Sequence, residues 1–322
     1  MIRHGRDNKL LVWQLRESDE AEFSKALPIE DATSERKQPW LLHSLDVNAL
    51  NFCSFAMCHA PTPPTDSTSS PSPQQNQAEP SILIAVPGVQ DGLINITALP
   101  SATRFATIPP PKDTSTGMLM AVGLYQPNDA ASPLVAAGYE SGHVALWHRT
   151  PTTNPNAPDD KWETLYLDKP HSQPVLSLDM APSLGYFFSS SADAIVARNP
   201  LDGRSEAKTV QTKHAGQQSL VVRADGKIFA TAGWDGRVRV YAAKGMKELA
   251  VLKWHKEGCY AAAFAGVLDG GATDAGQLED STGVTSKGKA LTVSQQRVAR
   301  SKATHWLAAG SKDGRVSLWD IY

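Results

Sequence analysis

The chain has 322 residues, a formal net charge of −2 and a hydrophobic content of 41%, enough apolar material for one large core. The balanced charge shows no basic stripe of the kind a duplex-binding domain needs, so no direct nucleic-acid contact is expected. No apolar run reaches the 18 or so residues that span a bilayer, so no membrane partner is expected either. The cysteines, Cys53, Cys58 and Cys259, are too sparse for a disulfide framework and lack zinc-ligand spacing, so no metal or other cofactor is expected.

Taken in chain order, one phrase recurs: a tight polar turn, then a short alternating apolar strand that often ends in an aromatic. Weak copies are Arg6-Asp7-Asn8-Lys9-Leu10-Leu11-Val12-Trp13 and Gln90-Asp91-Gly92-Leu93-Ile94-Asn95-Ile96. Gly138-Tyr139-Glu140-Ser141-Gly142-His143-Val144-Ala145-Leu146-Trp147 is a strong copy, and Ala192-Asp193-Ala194-Ile195-Val196 a weak one. The strongest are Gly233-Trp234-Asp235-Gly236-Arg237-Val238-Arg239-Val240-Tyr241 and Gly310-Ser311-Lys312-Asp313-Gly314-Arg315-Val316-Ser317-Leu318-Trp319-Asp320. This is the WD40 signature, in which each copy closes one four-stranded blade of an all-β propeller, and the spacing in the middle of the chain approaches the roughly 40–45 residues of one blade.

Alternation places the strands a to d of each blade, counted from the axis outward. The first blade retains only a c strand ending at Trp13 and a d strand over residues 40–45. The second blade takes residues 47–55, 82–86, 93–99 and 104–108 as its strands. The third takes 118–125, 134–137, 143–147 and 163–167, and the fourth 174–180, 186–190, 195–198 and 207–212. The fifth takes 219–223, 228–232, 237–241 and 248–253. The last has 259–265, 306–309 and 315–319 and no d strand. The pattern predicts a single domain over 1–322, a propeller that is seven-bladed when complete and here lacks N-terminal strands. On this reading Met1 is not the natural start, and the last c strand is left with a free edge.

Four segments are too polar, or too rich in Pro, Ser and Gly, to join the core, and are expected to be disordered insertions: residues 16–38, 61–80, 148–160 and 266–303. Within the last, Arg297-Val298-Ala299-Arg300-Ser301-Lys302 reads as a solvated loop end or a nuclear-import element. Successive strands of a blade run antiparallel, so a–b and c–d connections share one end of the propeller and b–c and d–a connections share the other. All four insertions are a–b or c–d connections. The opposite face is therefore the uncluttered one, and the b–c turn residues His143, Trp234 and Arg315 are its candidate partner-binding residues.

Several residues resemble catalytic groups. His214, Thr231, Asp235 and Tyr241 form one His–Ser/Thr–Asp–aromatic combination. His171, Ser189 and Asp193 form a partial one. His255, Asp313 and Trp319 form another, with Ala309 where the hydroxyl would be. Such a combination resembles a hydrolase triad, but its recurrence at blade spacing points to buried polar satisfaction. Phosphate-binding loops and a Gly-x-Ser-x-Gly elbow are absent from the sequence, so no catalytic residue is assigned.

Three further phrases narrow the family: Arg3-His4-Gly5-Arg6-Asp7-Asn8-Lys9-Leu10 at the start, Gly245-Met246-Lys247-Glu248-Leu249-Ala250-Val251-Leu252-Lys253-Trp254-His255, and His305-Trp306-Leu307-Ala308-Ala309-Gly310. With them, the chain resembles the fungal ASTRA-associated protein 1 family, relatives of the animal G-protein β-subunit-like protein 1. That resemblance implies a non-catalytic scaffold subunit of a nuclear assembly linked to chromatin remodelling and to maturation of PI3-kinase-related kinases. The partners it implies are a PI3-kinase-like scaffold, RuvB-like ATPases and a co-chaperone trio. The alternatives are an enzyme built on a propeller, which would need unpaired polar groups converging in a pocket, and a G-protein β-type adaptor. The heptad helix with which such β subunits hold their γ partner is not visible in the sequence.

Overall fold

The computed structural model describes residues 1–4, 8–20, 39–48, 53–60, 81–127, 132–150, 161–266 and 292–321. Among them, 22 strands form six antiparallel sheets, each a simple meander. Sheet 1 holds β1 (Ile2–His4), β2 (Lys9–Gln14) and β3 (Trp40–Asp46). Sheet 2 holds β4 (Ala56–His59), β5 (Ile82–Pro87), β6 (Ile94–Leu99) and β7 (Thr103–Ile108). Sheet 3 holds β8 (Leu119–Tyr125), β9 (Leu134–Tyr139), β10 (Val144–Thr150) and β11 (Lys161–Asp168). Sheet 4 holds β12 (Val175–Ala181), β13 (Tyr186–Ser191), β14 (Ile195–Pro200) and β15 (Lys208–Gln211). Sheet 5 holds β16 (Gln217–Val222), β17 (Ile228–Gly233), β18 (Arg237–Ala242) and β19 (Glu248–Lys253). Sheet 6 holds β20 (Cys259–Phe264), β21 (Trp306–Ser311) and β22 (Val316–Asp320).

The first strand of each sheet from 2 to 5 packs on the first strand of the next, which gives six blades in a propeller arrangement. The core is divided into layers between neighbouring sheets. Leu10, Ile84 and Val86 fill the layer between sheets 1 and 2, and Ile94, Val122 and Tyr139 that between sheets 2 and 3. Phe188, Phe229 and Tyr241 stack between sheets 4 and 5, with ring centroids 4.9 Å apart at both steps. Period-2 alternation explains the division: along β18, Val238 and Val240 face sheet 6 while Tyr241 faces sheet 4.

Among the described residues, inner strands of neighbouring blades do not pair through their backbones, and side chains tie them instead. The Ser177 hydroxyl accepts from Leu220 N at 3.0 Å, the Asp179 carboxylate accepts from Val222 N at 2.7 Å, and the Ser219 hydroxyl accepts from Ala262 N at 3.2 Å. Burial pushes the Asp179 carboxyl above its usual range, against the two backbone N–H groups that pull it down. A raised folded-state pKa means that the ionised form costs stability, and that this cost fades as the pH falls through the raised value towards the ordinary one near 3.9. Asp179→Asn keeps an oxygen for Val222 N and gives up the contact with Met180 N, the next residue. It is expected to raise the melting temperature by a few degrees at pH 7 and to change little near pH 3; thermal melts at both pH values check this, and a loss at pH 7 would contradict it.

The structure corrects the sequence reading in several places. The first strand of sheet 2 is Ala56–His59 rather than 47–55, because the pairing Ala56 to Ala85 fixes the register. The apolar alternation runs on through this stretch and does not mark where a strand should begin. Sheet 1 has a strand before the c strand: Ile2 pairs with Val12 and His4 with Leu10. At three residues, one of them Arg3, it is too short to show alternation. Of the segment 16–38, residues Glu17–Glu20 form the short helix α1, and of 148–160, residues 148–150 extend β10. Of 266–303, Val293–Ala303 form the helix α2, which contains the basic tract. This helix lacks Gly and Pro and is rich in good helix formers. Its end is held by Thr304 Oγ1 donating to Arg300 O and by Trp306 Nε1 donating to Ser301 O, both at 2.8 Å. Residues 21–38, 61–80, 151–160 and 267–291 of these insertions lie outside the described residues.

The flanking strands show that the four long connections, β2 to β3, β4 to β5, β10 to β11 and β20 to β21, all leave from the same end of the sheets. Among the described residues no strand covers the outer edge of β22, and Val316 and Leu318 on it are 66% and 64% exposed, far outside the core range.

Candidate partner-binding face and the buried polar sets

Sheet 4 carries a complete polar relay. His171, in the connection before β12, is buried, and its Nε2 lies 2.9 Å from Ser189 Oγ on β13 while its Nδ1 lies 3.3 Å from Asp193 Oδ1 in the b–c turn. Asn199 on β14 donates to Ser189 Oγ at 3.2 Å. One tautomer satisfies the row: Asn199 donates to Ser189, Ser189 to Nε2, and Nδ1–H to Asp193. Asp193 also accepts from Ser172 N at 2.8 Å and Ile195 N at 2.9 Å. Burial works to raise this carboxyl, but the hydrogen bonds from His171 and the two amides outweigh it and hold the group below the usual carboxylate range. Ser189 has no exposure and its hydroxyl is engaged on both sides, so it cannot meet a substrate.

Sheet 6 repeats only part of the relay: the hydroxyl comes from another strand, and His255 Nδ1 has no hydrogen-bond partner among the described residues. His255 Nε2 meets Ser317 Oγ at 2.8 Å, and Trp319 Nε1 donates to the same oxygen at 2.9 Å. His255 Nδ1 and Asp313 Oδ1 are 4.0 Å apart, an ion-pair contact too long for a hydrogen bond. The hydroxyl that Ala309 lacks is supplied from the c strand. Ser317 lies two residues before Trp319 and so on the same side of the strand, the one signal in the sequence that could have found it.

Sheet 5 departs most from expectation. His214 is exposed, with Nδ1 3.9 Å from Asp235 Oδ2. Asp235 is instead gripped by the buried Arg239, whose Nη2 and Nη1 donate to its two carboxylate oxygens at 2.6 and 3.2 Å. Burial works to raise the Asp235 carboxyl and the Arg239 guanidinium more than offsets it, so the group sits low. The fork takes the volume and the acceptor that a His would use. Thr231 Oγ1 and the Tyr241 hydroxyl are then buried with, among the described residues, only each other to turn to, in a contact outside hydrogen-bond geometry, and burial pushes the Tyr241 phenol up to about 12. Arg239 shares parity with Tyr241 along β18, a burial signal the sequence reading missed.

The turn aspartates Asp91, Asp193, Asp235 and Asp313, together with Ser141, all sit between the second and third strands that the chain order implies, and Asp7 lies outside the described residues. Of the three candidate partner residues, Trp234 and Arg315 are brought into one neighbourhood. Trp234 Nε1 donates to Gln218 Oε1 at 2.8 Å, and the ring covers Gly216, where a Cβ would sit 2.2 Å from the ring atom Cε3. Its backbone abuts Gly258, and the turn carrying Arg315 is tied to the same residue by Lys312 N donating to Gly258 O at 2.9 Å. Arg315 is exposed, with its N–H donating to Asp313 Oδ1 at 3.0 Å. His143 stands apart in sheet 3, half-buried with Nδ1 2.7 Å from Ser141 Oγ, and burial, then Lys169, lowers its pKa.

Among the described residues no group of three or more His, Cys, Asp or Glu side chains could hold a metal ion, and no helix is long and apolar enough to cross a membrane. In comparisons with known proteins, the family described as "WD domain, G-beta repeat" matches residues 207–242 and 296–320. The ASTRA-associated protein 1 of Aspergillus flavus is 48% identical over 99% of this chain and 80% of its own length. That of Verticillium alfalfae is 47% identical over all of this chain and 77% of its own length. The guanine nucleotide-binding protein subunit beta-like protein 1 of Mus musculus is 32% identical over 68% of this chain and 52% of its own. With this identity across nearly the whole chain, and a six-sheet WD40 propeller arrangement beneath it, the chain belongs to the ASTRA-associated protein 1 family.

Proposed function

We propose that this chain is a non-catalytic scaffold subunit of a nuclear ASTRA assembly, serving chromatin remodelling and the maturation of PI3-kinase-related kinases. Its partners there are a PI3-kinase-like scaffold, RuvB-like ATPases and a co-chaperone trio. The observation that carries the reading is the near full-length likeness to proteins named for association with ASTRA. It is supported by the polar set of sheet 4, in which Ser189 and both ring nitrogens of His171 are consumed inside the blade. The contact is assigned to the face of the b–c and d–a connections, where the Trp234 ring and Arg315 are exposed.

Affinity purification of the tagged chain from nuclear extract, read by mass spectrometry, tests the reading: recovery of the PI3-kinase-like scaffold and the ATPases is expected, and their absence overturns it. Arg315→Ala is expected to weaken recovery several-fold without moving the melting temperature, because its side chain is exposed. Trp234→Ala is expected to weaken recovery more and to lower the melting temperature by a few degrees, since the ring also covers Gly216. Unaffected recovery in both variants, with loss on deleting residues 61–80 or 266–303, would move the contact to the opposite face.

A further inference from the structure

The surface around Gly258 has a chemistry of its own. Trp234 and Tyr260 are 46% and 48% exposed, and Trp254 in the connection before β20 is exposed as well. Both residues border Gly258, Trp234 through its backbone and Tyr260 through its ring edge: an ideal Cβ there would lie 3.0 Å from Trp234 O and 3.0 Å from Tyr260 Cε2. The Trp234 ring is held on one side by Gly216 and at its edge by Gln218, so its orientation is fixed while its other face is open. The turn of sheet 6 is locked beside it by Lys312 N to Gly258 O and by Ser311 Oγ to Glu257 O.

Around these two rings the charge is predominantly positive. The connections and turns of sheets 5 and 6 at this end carry Lys213, Arg237, Lys256, Lys312 and Arg315 against Asp235, Glu257 and Asp313. Asp235 is already neutralised by the buried Arg239. The whole chain is net negative, so this excess is local.

We propose that this patch is the docking site for an acidic, extended segment of a partner protein, with one large apolar side chain seated on the Trp234 ring and Tyr260 at the margin of the patch. It rests on the scaffold reading above and adds the partner's chemistry. A rigid half-exposed Trp costs little entropy to engage and is the residue type that most often dominates interface energy. Spaced lysines steer and orient an acidic chain. The interspersed carboxylates Glu257 and Asp313 would repel a continuous phosphate backbone, whereas separate Asp and Glu side chains can avoid them.

The test uses the full chain and a fluorescent twelve-residue peptide of alternating Asp and Glu with a central Phe-Leu. Controls are the same peptide with Lys for each acid, the acidic peptide with Gly-Gly at its centre, and a single-stranded oligouridine of equal charge. Saturable binding of the acidic peptide is expected, weakened about tenfold by Trp234→Ala. Lys256→Glu with Lys312→Glu should weaken it at least as much, and Lys112→Glu, on the same end but in the connection after sheet 2, should leave it unchanged. Raising the salt from 50 to 500 mM should weaken it further, as exposed ion pairs are screened. No binding of the acidic peptide, equal binding of the basic one or of the Gly-Gly one, or tighter binding of the oligouridine overturns the proposal. If nuclear partners are still recovered by the wild type and by the Lys256/Lys312 double variant, this docking site fails while the scaffold reading stands. If the wild type recovers none, the scaffold reading itself fails.

Discussion

Gly142→Ala is expected to be among the most damaging single-methyl changes this chain can take. Gly142 sits in the turn between β9 and β10 with φ +86°, and an added Cβ would lie 2.2 Å from His171 O and 3.1 Å from Gln173 O. The left-handed conformation alone costs an L-residue about 1–2 kcal/mol. The clash is with backbone, which cannot swing aside as a side chain can, so the connection that carries His171 must move as well. A total loss of about 4 kcal/mol is expected, or roughly ten degrees in melting temperature. Gly185→Ala separates the two causes. Gly185 has φ +73° but no heavy atom within 4 Å of the added Cβ, so about 1 kcal/mol is expected. Equal losses in the two variants, measured by chemical denaturation, would show that the clash is absorbed.

His171→Ala should come next, at about 3 kcal/mol, since it opens a cavity, leaves the Ser189 hydroxyl proton without its acceptor and removes one of the hydrogen bonds on Asp193 Oδ1. It should also change the acid limb. Asp193 has a depressed folded-state pKa, so it contributes stability above its ordinary value near 3.9 and loses that contribution as the pH falls through the lower folded value. His171 supplies much of the depression. The melting temperature of His171→Ala is therefore expected to fall less steeply below pH 4 than that of the wild type. A variant with an unshifted melt at pH 7, or a parallel acid limb, would mean that the relay carries no energy.

The blades were legible in the sequence wherever turn and alternation agree. Sheets 3, 4 and 5 fall within a few residues of the expected ranges because Gly142, Asp193 and Gly236 punctuate clean period-2 runs. Legibility failed where the signal was too short or too uniform, at Ile2–His4 and at the start of β4. It failed differently in the polar sets. Residue type predicts which groups want partners, but not which donor arrives first. His214 was outcompeted by Arg239, whose buried fork reaches Asp235 from its own strand, and the hydroxyl for His255 came from Ser317 because that strand faces the same cavity. Tyr260 was read only as part of a strand, and nothing in the alternation marked its ring as open to solvent beside Trp234.

The side-chain ties along the axis have a consequence for the surface far above them. Ser177 with Leu220, Asp179 with Val222, and Ser219 with Ala262 each join positions 43 residues apart. Slipping β16 by a single residue would turn every one of these donors away from its acceptor. The ties therefore act as a height gauge, setting how far each blade is raised along the axis relative to its neighbour. The turns of sheets 5 and 6 are levelled by the same gauge, which is how Trp234 and Lys312, from different blades, come to rest against the one glycine between them.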